Sequence, residues 1–138
     1  MPADIYIDTK RGMVYSKVIG LYSLQEALEH RDRIAADPNF RPTFNQIADY
    51  RGITSPSLPK KSISTLAERD VFGPLSQRAF VTANDWQFGT CRMFATLRGI
   101  RGEPGIRVFK RMKEALSWLG LEAEADPSWF PRLQGGPN

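Results

Sequence analysis

The chain has 138 residues, 41% hydrophobic and 25% charged, which is the make-up of one globular domain able to bury a core without disulfides or metals. A net charge of +4 permits an acidic partner, but acidic residues are spread throughout, so no nucleic acid is expected. A single cysteine, Cys91, excludes an internal disulfide, no stretch approaches the roughly 20 apolar residues of a membrane span, and "MPADIYIDTKRG" lacks a secretory pattern; a cytoplasmic location is expected.

The opening "DIYIDTKRGMVYSKVIG" predicts two short strands around a tight turn, with Gly12 supplying the permissive backbone that a hairpin needs. In "YSLQEALEHRDRIAADP", Ser23 and Glu26 form a capping-box pattern and Pro38 stops the helix. Leu24, Ala27, Leu28, Arg31, Ile34 and Ala35 share one face of it, with Arg31 the single break in an apolar stripe. His30, the one histidine, lies beside that stripe and reads as a surface or boundary residue. "PTFNQIADY" reads as a strand. A second helix falls within "PKKSISTLAERDVF", where Ser57, Ser62 and Thr65 are alternative caps. "SQRAFVTA" reads as a buried strand, and "NDWQFGTCRMFATLRGI" as a helix capped by Asn84 or Asp85. "GIRVFKRM" supplies a last strand and "MKEALSWLGL" a last helix, through Met112, Ala115, Leu116 and Leu119. This order predicts an α/β sandwich over residues 1–121. Its five-stranded sheet is mostly parallel, with an antiparallel N-terminal edge strand and about four helices on both faces. Residues 122–138 form a Pro/Gly-rich tail with Trp129 and Phe130 as its anchors.

Several short motifs recur in a recognisable order. They are "D-P-x-F" at Asp37, Pro38 and Phe40, a third strand ending in Asp49, "FGTCRMF" at Phe88 to Phe94, and Val108, Phe109, Ala115, Trp118 and Leu119 near the end. In this the chain resembles the SpoIIAA-like fold of the STAS domain family, and most closely a group of small bacterial SpoIIAA-like proteins of mostly unassigned function. The resemblance implies a ligand-binding or protein-interaction module. Phosphorylatable members follow the third strand with an Asp-Ser-Ser-Gly type turn; this chain has "DYRGITSPSLPKK" instead, so their phosphoswitch does not carry over.

The first candidate site is a crevice at the carboxyl ends of the third and fourth strands, where open α/β sheets bind ligands if adjacent connections leave in opposite directions. Asp49, Tyr50 and Arg51 leave one strand and Asn84, Asp85 and Trp86 the other; Phe88 adds an apolar wall and Arg92 a cation reaching back. An anionic or amphipathic small molecule is the ligand class implied. The competing reading is that Asp49 caps a loop, the aromatics complete the core and Arg92 pairs with a carboxylate. A second candidate is the 54–64 loop, where Ser55, Ser57 and Ser62 beside Lys60 and Lys61 suit phosphorylation or docking of a regulatory protein partner. The basic run Arg92, Arg98, Arg101, Arg107, Lys110, Arg111 and Lys113 reads as a solvated face, relieved only by Glu103. There is no phosphate loop, G-x-S-x-G or metal-ligand cluster, and Cys91 and His30 are far apart in sequence. No catalytic residue, cofactor or metal site is assigned, and the reading leans away from an enzyme.

Overall fold

The computed structural model describes residues 3–56 and 58–121; Ser57, Trp129, Phe130 and the predicted tail lie outside the described residues. Strands β1 (Ala3–Asp8) and β2 (Met13–Gly20) pair antiparallel. Their turn uses Gly12 at φ 63°, a backbone that side chains rarely adopt. Asp8 ties the turn down, accepting from the Lys10 amide at 3.0 Å and the Arg11 guanidinium at 2.9 Å. The predicted capping box forms at the start of α1 (Leu24–Ala36): Ser23 accepts from the Glu26 amide, and the Glu26 carboxylate accepts from the Ser23 amide.

Strand β3 (Asn45–Ile53) leads to α2 (Lys60–Ala67), β4 (Arg78–Val81), α3 (Asp85–Ile100), β5 (Ile106–Phe109) and α4 (Met112–Trp118). Asn84 caps α3 as expected, its side chain accepting from the Gln87 amide at 2.9 Å. Helix α2 departs from expectation: Pro59 is its N-cap, with no side-chain cap bond, and Thr65 instead donates to the Lys61 carbonyl within the helix.

The sheet runs β1-β2-β3-β4-β5, parallel from β2 onward. Alternate side chains on each strand serve opposite faces. Val18, Ala48, Tyr50 and Phe80 pack with Ala27, Ile63, Leu66 and Phe94 of the first three helices. Met13, Tyr15, Ile47, Ala79 and Val81 pack with Ala115 and Leu116 of α4. Among the described residues helices thus cover both faces, three on one and α4 on the other. This order corrects one expectation. Each parallel crossover steps the same way along the sheet, so among the described residues no reversal of strand order opens a crevice. Any site at the strand ends must be closed over by the helices and the loops that lead into them.

One irregularity lies at those ends. From Lys17 to Ile19 β2 advances two positions while its partner β3 advances three, Asp49 to Gly52, so β3 carries one extra residue beside Tyr50 and Arg51. Gly52 permits the close approach there, since a Cβ at that position would stand 3.0 Å from the Val18 carbonyl oxygen.

The basic run near the C-terminus is not one solvated face. Arg98 and Glu103 are both buried, and the Arg98 Nε donates to Glu103 at 2.8 Å. Arg78, also buried, donates to both Glu103 oxygens at 3.1 Å, and Arg98 reaches Asp70 at 2.8 Å. The Arg78 guanidinium also lies 4.1 Å from the Phe72 ring centroid.

Candidate functional site

Beneath α1, α2 and α3, at the carboxyl ends of β3 and β4, lies a cavity of about 80 Å³. Tyr50, Phe80 and Phe94 form its inner wall, Leu58 and Leu66 its side, and Trp86, 45% exposed, stands at its mouth. The lining is almost wholly apolar, and no carboxylate contributes to it among the described residues. Most of its polar groups are already engaged. The Gln87 amide accepts from the Ala83 N–H at 2.8 Å and donates to the Ile53 carbonyl at 3.4 Å. Ser55 Oγ accepts from the Tyr22 amide at 3.0 Å, and Thr90 donates to the Trp86 carbonyl at 2.9 Å.

Arg31 is the exception. It is 9% exposed and lines the cavity from α1, where it donates to the Ala27 carbonyl at 3.0 Å, interacts with the Tyr22 and Tyr50 hydroxyls and rests 5.1 Å from the Phe94 ring centroid. Among the described residues no carboxylate lies within ion-pair distance of it. A guanidinium removed from water without an anion is costly, and charges so placed are normally paired. The Tyr22 and Tyr50 phenols stand beside it. Burial pushes both well above the usual phenol range, with Arg31 opposing the rise, so both are neutral phenols at physiological pH. Burial likewise pushes the partly buried Cys91 thiol up to about 12, leaving it a weak nucleophile.

Behind Tyr22 sits His30, 2% exposed, which corrects its expected surface position. It occupies the i+3 place after Ala27 and the i−4 place before Ile34, so it belongs to the buried stripe rather than beside it. Its Nδ1 lies 2.8 Å from the Tyr22 hydroxyl and its Nε2 3.1 Å from Ser16 Oγ. Burial, reinforced by the charges of Arg31, Arg33 and Arg78, lowers its pKa to about 3, so the ring is neutral.

The residues singled out from sequence divide among several places. Tyr50 and Trp86 line the cavity. Asp49 lies on the Ile47 side of β3, and its two oxygens accept from Arg51 Nε and Nη2, each at 2.9 Å. Arg51 is therefore paired locally with Asp49 rather than offered to the crevice. Asn84 serves as the α3 cap. Phe88 and Arg92 flank a separate groove between α3 and β5, where the exposed Arg92 lies 5.8 Å from the Phe88 ring centroid; it does not reach back toward the cavity. Ser55 lines the cavity and Ser62 lies in the first turns of α2. Sequence reasoning missed Tyr22 and Arg31 as site residues. The signal for Arg31 was present, a lone cation inside an apolar helical stripe; Tyr22, just before the cap, gave none.

Among the described residues no group of histidine, cysteine or carboxylate side chains could hold a metal, and no helix is long and apolar enough to cross a membrane. Comparison with protein-family models and with curated proteins gives no match.

Proposed function

We propose that the chain is a non-enzymatic binding module of SpoIIAA-like type that takes an anionic, amphipathic small molecule in the cavity at the carboxyl ends of β3 and β4. The observation that carries this reading is Arg31, a buried guanidinium without a carboxylate partner among the described residues, set in an apolar chamber. An anion entering there would supply the missing charge, while its apolar part would be covered by Tyr50, Phe94 and Trp86. The order of elements and the α/β sheet support the family resemblance, and Phe40 and Phe94 of its motifs lie buried in the core.

Thermal unfolding in the presence of octanoate or octyl sulfate tests this. At least one of these amphiphiles should raise Tm, and Arg31→Gln should abolish the rise. Arg92→Gln, on the far groove, should leave it intact. A rise that survives Arg31→Gln, or none with either amphiphile, overturns the assignment.

A further inference from the structure

We propose that the head group this cavity accepts is a carboxylate, because a buried hydrogen-bond chain ending at Tyr22 makes its hydroxyl a donor toward the ligand beside the Arg31 guanidinium. The inference rests on the binding reading above and deepens it. Its starting point is Arg78, whose guanidinium can donate but never accept. Arg78 Nε donates to Gln46 Oε1 at 3.0 Å, which fixes the Gln46 amide and turns its Nε2 toward Ser16 Oγ, 3.1 Å away. Ser16 thus accepts from Gln46, and its own proton needs an acceptor. The acceptor within reach among the described residues is His30 Nε2 at 3.1 Å. Since the imidazole is neutral, accepting at Nε2 places its proton on Nδ1. Nδ1–H then donates to the Tyr22 oxygen at 2.8 Å. The phenolic proton of Tyr22 is left over, and Tyr22 lines the cavity beside Arg31.

The reverse polarity fails on its own terms. If Tyr22 donated to Nδ1, both Gln46 and His30 would donate to Ser16, stranding a buried hydroxyl proton at a cost of roughly 1–3 kcal/mol. The chain therefore runs one way, from Arg78 to the cavity. A head group meeting Tyr22 O–H and the Arg31 guanidinium must accept from both, and a carboxylate offers two acceptor oxygens and the balancing charge. An alcohol brings its own proton and no charge; an amine brings a second cation. Size narrows the class further. The 80 Å³ of the cavity is about half of the ~150 Å³ apolar cavity that holds benzene, so it fits the carboxylate and its first few carbons, with the rest passing Trp86 at the mouth.

Two measurements on the whole chain test this, using octanoate, octyl sulfate, 1-octanol and octylamine as probes of equal chain length. First, a long-range proton–nitrogen NMR spectrum at pH 7 reports the tautomer without ambiguity, because the chain has a single histidine. Nδ1–H is expected; Nε2–H or an imidazolium overturns the relay. Second, octanoate should bind at least about tenfold more tightly than 1-octanol, with octylamine weaker still, and Tyr22→Phe should collapse the preference for octanoate over 1-octanol to within about threefold. Should Tyr22→Phe not fold, Ser16→Ala frees the tautomer from outside the cavity and should narrow the same preference. An unchanged preference in the folded variant overturns the proposal. A response to octyl sulfate alone overturns the carboxylate while leaving the binding reading standing; no response to any probe overturns both.

Discussion

Two groups of buried arginine share one face of this sheet and are built on opposite terms. Arg78 and Arg98 are held by Glu103 between them, with Asp70, the Gln46 amide and backbone carbonyls completing the set. Arg31 has one backbone carbonyl, one aromatic ring and two neighbouring phenols, and no carboxylate among the described residues. The first group is closed, with its charges matched by partners within the fold. The second is open on the side that faces the cavity. The contrast separates an arginine that holds the fold from one that awaits a ligand, and it can be broken experimentally.

The largest effect belongs to the closed group. Glu103→Gln removes the one anion that both guanidinium groups share and sets amide donors against their donors. Losing one member of a buried ion pair costs about 3–5 kcal/mol because the remaining charge stays buried. Urea unfolding should show that loss as a lower midpoint with an unchanged slope. A loss below about 1 kcal/mol would show that Arg78 and Arg98 are not held by Glu103, and the comparison would lapse.

His30 stands between the two groups and gives an intermediate effect with a defined sign. Its folded pKa is about 3, against roughly 6.5 for an unfolded histidine. Below 6.5 the unfolded chain binds a proton that the folded chain refuses, so stability falls as pH drops from 6.5 toward 3 and is fully retained above that window. The loss reaches about 2 kcal/mol at pH 5. Arg31, Arg33 and Arg78 are the charges that act on the ring. Carboxylates titrate mainly below this range, so stability measured between pH 5 and 7 isolates His30. In His30→Gln the slope across that interval should vanish; an equal slope in wild type and variant would place the proton uptake elsewhere.

Much of the fold was legible because its signals are local. Ser23 with Glu26, Asn84 before α3, Gly12 at the hairpin and the alternating strands each specify their element within a few residues. The site was legible only in position. β3 runs on to Ile53, past its expected end at Asp49; Asp49, Tyr50 and Arg51 lie in its second half, where alternation sends Tyr50 to the cavity while Asp49 and Arg51 satisfy each other. Which residues converge depends on three helices meeting over one face, and that follows from a strand order that single elements do not encode. Arg98 and Glu103 show the same limit: as text they belong to a charged run, and pairing at 2.8 Å is what lets both be buried.

The smallest stability effect is the most discriminating, because it falls on Arg31. If the fold depended on this guanidinium as it depends on Arg78, Arg31→Met would cost several kcal/mol. The open arrangement implies otherwise. Methionine keeps an unbranched apolar stem that can pack near Phe94, gives up the guanidinium contact with that ring and the bond to the Ala27 carbonyl, and removes a charge that no carboxylate offsets among the described residues. Exchanging a poorly compensated buried charge for a packed apolar group is commonly neutral or stabilising. Urea unfolding of Arg31→Met should therefore fall within about 1 kcal/mol of wild type, while the response to octanoate disappears. A loss near that of Glu103→Gln would make Arg31 a part of the core, and the cavity beside it a packing defect. Stability kept and binding lost is the pattern of a residue whose partner comes from outside the chain.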